Sequence, residues 1–200
     1  GKKGRNKMNR FVYADNAATT PMSESVYHAM QPYLTEFYGN PSSLYRIGRD
    51  ARRAITEARM KVARAIGAKE PSEIIFTGGG SQADNLAIRG YVKGRSARGK
   101  KHIITSKIEH HAVLYTCEAQ EKEGYPVTYL DVDENGLVKL EELEKAITPE
   151  TILISVMFAN NEIGTIQPVR EIGMIAREHG ILFHTDAVQA AGHVPIDVEE

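Results

Sequence analysis

"HIITSKIEHHAVLYTCEAQEKEGYPVTYLD", residues 102–131, reads as strand, helix, strand. His102–Ser106 and Val127–Asp131 are rich in β-branched residues and do not alternate polar with apolar, which suits strands buried on both faces. Between them Ala112–Lys122 is a run of helix formers, and Gly124 just past it supplies a stop. Two buried strands joined by a helix make a βαβ crossover, and a crossover makes the strands parallel.

The same reading extends in both directions. Glu73–Thr77, Thr151–Met157 and Ile181–Thr185 are further apolar, β-rich runs. Ile47, Ala51, Ile55, Ala58, Val62 and Ile66 recur at helical spacing, so Ser42–Ile66 is expected to be one long amphipathic helix, ended by Gly67. Ser81–Tyr91, Leu140–Ile147 and Val169–Glu178 are the other predicted helices; Pro168 opens the last and Gly180 follows it. Strand–helix alternation of this kind predicts an α/β fold, a mostly parallel sheet with flanking helices. Ligands of such sheets bind off the carboxyl ends of the strands, so chemistry is sought just after each strand.

Composition narrows the function classes. Twenty-five basic residues stand against 26 acidic ones, a formal net charge of −1, so nothing favours nucleic acid or a membrane surface as partner. A hydrophobic content of 42% over 200 residues is enough for a globular core. No apolar run approaches the roughly 18 residues of a membrane span, and no signal-peptide pattern is present. Cys117 is the only cysteine; it rules out an internal disulfide, fits a reducing compartment and points to the cytoplasm. Its helix position beside Ala112 and Val113 reads as core. Residues 1–10, "GKKGRNKMNR", carry five cations and almost nothing apolar, and are expected to be a disordered or cloning-derived leader before a folded part at 11–200.

Four strand ends hold the candidate chemistry. In "TGGGSQADN" (77–85) the glycines allow a tight turn, Ser81 is a natural N-cap with Asp84 three residues on, and the free N–H groups suit an anion such as phosphate. A plain connecting turn is the alternative, and "GGGSQA" (78–83) also fits a dinucleotide fingerprint, though no acidic residue closes the next strand about twenty positions on. In "KIEHHAV" (107–113), His110 or His111 is a candidate to cover a planar ligand, act as a base or cap a helix. Metal is not expected, because adjacent histidines do not share a helix face and H-E-x-x-H is absent. "FANNEIG" (158–164) places two asparagines and a glutamate at a strand mouth, where turn-making explains one asparagine but not the set. In "ILFHTDAVQ" (181–189), Asp186 is either the N-cap of a short helix or the partner of a positive group, and Gln189 shares its face. A phosphate cradle, an imidazole, an amide and a carboxylate together suit a flat, phosphorylated nitrogen heterocycle, its ring nitrogen kept protonated by the carboxylate.

Six stretches in order carry a family resemblance: "YADNAATTP" (13–21), "YGNPSS" (38–43), "FTGGGSQADNLAI" (76–88), "SKIEHHAVL" (106–114), "NNEIGTIQP" (160–168) and "HTDAVQAAG" (184–192). The sequence resembles the cysteine desulfurases, pyridoxal-phosphate enzymes of fold type I in the class-V aminotransferase group, and most of all the branch that feeds iron–sulfur cluster assembly. The resemblance implies pyridoxal 5'-phosphate as cofactor, with Gly80 and Ser81 on its phosphate, Asp186 on its pyridinium nitrogen and Gln189 on its phenolic oxygen. It implies that His110 stacks on the ring as a catalytic proton carrier, and that Asn161 bonds both cofactor and substrate. Ala18–Thr19 and Asn40 would border the substrate pocket. L-cysteine as substrate, a homodimer, and an iron–sulfur scaffold or other sulfur acceptor as partner are likewise implied. Other class-V enzymes, such as a selenocysteine lyase, and a non-catalytic chain that pairs with a full-length partner are the related alternatives. Gln82 stands where the family usually has glutamate, Ser81 where many members have threonine, and His111 replaces a commonly basic or small residue. In the family the lysine that binds the cofactor, the sulfur-accepting cysteine and the small C-terminal domain come later than the Asp186 motif. The sequence is therefore expected to be an N-terminal part with most of the large domain, ending before that lysine and inactive alone.

Overall fold

The computed structural model describes residues 11–96, 99 and 101–200; the expected leader at 1–10 lies outside the described residues. Strand β1, His102–Ser106, is buried at every position. Side chains alternate across a strand, so an unbroken apolar strand must feed two cores. Ile103, with Leu153 of β3 (Thr151–Ser155), packs against Ile88 and Val92 of helix α3 (Gly80–Ser96) and Val113 and Cys117 of α4 (His111–Lys122). Ile104, with Ile154, faces the other way, onto Leu143 of α5 (Leu140–Ala146) and Ile172, Ile175 and Ala176 of α6 (Val169–Glu178). Helices thus cover both faces of the sheet, and Cys117 lies in the core as expected, its thiol pushed up to about 12 chiefly by burial.

The sheet has four strands in the order β2-β1-β3-β4, with β2 Val127–Leu130 and β4 Leu182–His184, and every pairing is parallel. From β1 the chain steps outward to β2, then returns past β1 to reach β3. The direction of winding therefore reverses between β1 and β3, and the loops after these two strands part there, opening a crevice at their carboxyl ends.

Two expectations need correction, and one helix was not expected. Glu73–Thr77 is not a strand: Pro71–Glu73 forms a 3-10 turn, and Ile75 and Phe76 are exposed. Ile74 has extended dihedrals, but extended backbone becomes a strand only with a ladder partner, and the described strands offer it none. The long helix α2 begins at Arg46, not Ser42, because Asn40 captures the Ser42 amide in a side-chain turn at 2.9 Å. Helix α1, Glu24–Thr35, is not among the helices the pattern gives; it contains Pro32 and buries no residue, so its sequence has no core-facing stripe to read. No helix among the described residues is long and apolar enough to cross a membrane.

Leu153 is fully buried at the centre of the sheet. Leu153→Ala is expected to lower unfolding stability by about 2–5 kcal/mol, read as a shift in denaturant midpoint; a loss below about 0.5 kcal/mol would show that the sheet centre is not the core.

Candidate functional site

The β1–α4 loop is pinned from two sides. Ser106 donates to Glu109 Oε1 at 2.5 Å, and the Met157 amide, just past β3, donates to the same oxygen at 2.9 Å. Asn160 donates from Nδ2 to the Ile108 carbonyl at 3.0 Å and accepts from the Glu162 and Ile163 amides. Asn160 is therefore the turn-maker of its pair, which leaves Asn161 free to face outward. Gln167 is also structural: it accepts from the Val138 amide and donates to the Gly136 carbonyl.

His110 is the N-cap of α4; its Nδ1 accepts from the Ala112 amide at 3.1 Å. With Nδ1 used as an acceptor, the neutral ring carries its proton on Nε2. His111 packs on Tyr115 along the helix and takes no part in the cavity. The capping reading and the functional reading of His110 thus coexist, because capping fixes the ring that the site presents.

At the first βα turn, helix α3 starts at Gly80, so Ser81 lies inside it and is not the N-cap. The Gly79 carbonyl accepts from the Gln82 and Ala83 amides, and Gln82 reaches back to accept from the Gly78 amide at 2.7 Å. A Cβ on Gly80 would meet Val188 Cγ2 at 2.7 Å, so the helix start and the Asp186 loop approach as closely as glycine permits. Asp186 is buried and its Oδ1 accepts from the Val188 amide at 2.9 Å. One oxygen thus makes a local side-chain turn; no helix follows among the described residues, so Asp186 is not the N-cap of a short helix.

One cavity of about 290 Å³ brings together Gly80, Ser81, His110, Asn161, Asp186 and Gln189, all six expected cofactor residues. Ala18 also lines it; Thr19 and Asn40 do not. A larger hollow of about 500 Å³ between α1 and α2, walled by Tyr33, Phe37 and Tyr38, holds none of the six. Convergent polar groups at the sheet's switch point, and not size, mark the functional cavity. The donor set fits a phosphorylated pyridine: N–H groups and a hydroxyl at the start of a long helix for the phosphate, and a buried carboxylate opposite for a protonated ring nitrogen. The same correction removes the dinucleotide alternative, since Glu73–Thr77 is no strand and "GGGSQA" does not follow one.

A match to the class-V aminotransferases covers residues 12–200. The chain belongs to the class-V aminotransferase family. It is 59% identical over 192 residues to cysteine desulfurase IscS of Methanosarcina thermophila, covering 96% of this chain and 47% of that protein. It is 53% identical to putative cysteine desulfurase IscS 1 of Bacillus subtilis, across 94% of this chain and 49% of that protein. Among solved structures it resembles a NifS-like protein (TM-score 0.89, 41% identity, 93% of this chain and 51% of that one). It also resembles SspA in complex with cysteine (TM-score 0.89, 44% identity, 94% and 53%). The chain spans about half the length of the curated relatives it matches.

Sequence reasoning treated Asp84 only as a partner in a helix start. The structure buries it on the cavity wall, one helical turn past Gly80, and its spacing from Gly80 and Ser81 was the available signal. Burial, and then the Asp186 charge, raise its carboxyl to about 6. Burial pushes Glu109 up to about 7, with Asp186 and Asp84 adding to the rise against its two hydrogen bonds. His184 is held below its ordinary value by burial, which the Asp186 charge opposes. Among the described residues no group of three or more side chains is arranged to hold a metal ion.

Glu109 binds its proton more tightly folded than unfolded, so it favours the native state most below its ordinary value of 4.5 and loses that advantage as pH rises through about 7. Glu109→Gln keeps an acceptor for Ser106 and Met157 and cannot ionise. Between pH about 5 and about 8 its stability should fall less than that of the wild type, by on the order of 1–3 kcal/mol in denaturant titrations. Equal falls would show that Glu109 does not titrate in that window.

Proposed function

We propose that this chain forms the cofactor-binding floor of a pyridoxal 5'-phosphate-dependent cysteine desulfurase. The observation that carries the reading is the single cavity that joins all six expected residues. The whole enzyme would convert L-cysteine to L-alanine and pass the sulfur to a cysteine thiol as a persulfide, for iron–sulfur cluster assembly. Bound in the cavity, pyridoxal 5'-phosphate supplies an electron sink for bonds at the amino-acid α-carbon. Gly80 and Ser81 bind its phosphate, where the helix end adds favourable field. Asp186 keeps the ring nitrogen protonated, through the oxygen that the Val188 amide leaves over. Gln189 donates to the phenolic oxygen, and Asn161 orients both that side of the ring and the substrate. His110 covers the ring face and holds or moves a proton at Nε2, its Nδ1 being engaged by Ala112.

Residues 11–200 then make up the N-terminal segment and most of the large domain. A cytoplasmic homodimer that delivers sulfur to a scaffold or other acceptor protein completes the reading. Support comes from the IscS-named relatives and from the relative solved with cysteine. Among the described residues no lysine and no cysteine lines the cavity, and Cys117 is buried in the core.

The 200-residue chain is expected to bind added pyridoxal 5'-phosphate reversibly, seen as a shift in its absorbance. Borohydride should leave no single-lysine adduct by intact mass, and L-cysteine should yield no alanine. Asp186→Ala removes a charge-assisted contact of about 1.5–3 kcal/mol and should weaken binding by about 10- to 100-fold. Binding indifferent to Asp186→Ala, or a stoichiometric adduct at one lysine, would overturn this assignment of the site.

A further inference from the structure

Three carboxyl groups, those of Asp84, Glu109 and Asp186, are buried beneath and beside the cavity. Among the described residues no lysine or arginine is ion-paired with any of them. The groups that face Asp84 are Asp186 and His184 from the end of β4, and Glu109 and His110 from the loop after β1. His184 Nε2 lies 3.6 Å from Asp84 Oδ1, and its Nδ1 is 2.8 Å from Ser155 Oγ on β3. Ser155, His184 and Asp84 thus form a line that runs from the sheet to the cavity wall. Glu109 is off that wall and has two donors on one oxygen, whereas Asp84 is on it. Like charges buried together without a cation are costly, and such clusters settle the cost by holding protons or by meeting a positive ligand.

We propose that Asp84 is a positioning residue for the ring-nitrogen contact, a second carboxyl backed by His184 that releases its proton to solvent when a protonated ring nitrogen docks on Asp186. This rests on the cofactor reading above. The argument is one of charge. A cation beside Asp186 offsets the repulsion that favours the neutral form of Asp84, and the ionised Asp84 then strengthens the field that keeps the ring nitrogen protonated. His184, fixed by Ser155, packs its Nε2 3.6 Å from Asp84 Oδ1 on the β4 side, and Asp84 stands one turn along α3 from the phosphate-binding start of that helix.

The test is calorimetric titration with pyridoxal 5'-phosphate in two buffers of different ionisation enthalpy. It is run near pH 6, where Asp84 titrates, on the longest polypeptide that the reading frame encodes. The wild type should release about half a proton more per cofactor bound than Asp84→Asn, since a group near its midpoint is half protonated. Asp84→Glu, which keeps a titrating carboxyl, should restore the release. A merely structural role would weaken binding and leave the proton count alone. Equal counts in the wild type and Asp84→Asn overturn the role of Asp84 while the cofactor reading stands. No binding by the wild type overturns the cofactor reading, and this role with it. Should Asp84→Asn fail to fold, infrared difference spectra of the wild type decide the matter. A protonated-carboxyl band lost on binding, and still lost in Glu109→Gln, supports the role; no such loss overturns it.

Discussion

Glu109 leaves the end of β1 and takes one hydrogen bond from its own strand, through Ser106, and one from the neighbouring chain segment, through the Met157 amide. Beyond these points β1 and β3 lead into separate loops, and the cavity exists only if the loops stay a fixed distance apart. His110 is the next residue after Glu109, and Asn161 follows Met157 by four positions. Asn160 adds a second stitch, from the β3 loop to the Ile108 carbonyl. A buried set whose donors converge on Glu109 Oε1 and Asn160 is rigid, because releasing one donor strands its partner without water. The two walls that carry His110 and Asn161 are therefore set largely by the bonds of Ser106, Glu109, Met157 and Asn160, to which His110 adds its own cap.

The charge distribution around the cavity is lopsided in a useful way. Free N–H groups at the start of the 17-residue helix α3 give one end a positive field. The other end gathers Asp186 and Asp84, with Glu109 behind them. A ligand that is negative at one end and positive at the other is aligned by this gradient before any specific contact forms. The close passage of Gly80 against Val188 brings the start of α3 against the Asp186 loop, so that both ends face one cavity. The cost of that gradient appears as raised affinities of Asp84 and Glu109 for protons beside a pocket that no described arginine or lysine lines.

Much of this was legible in the sequence. The apolar, non-alternating runs at His102–Ser106 and Thr151–Met157 named strands buried on both faces, and the structure divides each between two cores, Ile103, Ile152 and Leu153 to one and Ile104, Ile154 and Val156 to the other. The motifs of the family resemblance named six residues that one cavity brings together, and for His110, Asn161, Asp186 and Gln189 the rule that ligands sit past strand ends agrees. Glu73–Thr77 failed for a physical reason: β propensity records a fit to a pleated surface, and a strand also needs a neighbour. The start of α2 failed because Asn40 competes locally for the Ser42 amide. Asp84 went unread because a polar residue on the first turn of a helix looks like capping, and only the three-dimensional approach of β4 shows it sealed beside Asp186. The division of labour between Asn160 and Asn161 was also invisible, since adjacent asparagines differ only in which way the turn points them.

The central claim is that one cavity at the carboxyl ends of β1 and β3 holds the cofactor in a set orientation. A crystal structure of the protein grown with pyridoxal 5'-phosphate tests it most directly. The account predicts density with the phosphate on the Gly80 and Ser81 amides, the ring beneath His110 and its nitrogen on Asp186. Density in the hollow walled by Tyr33, Phe37 and Tyr38, or a ring with its nitrogen turned away from Asp186, would contradict it.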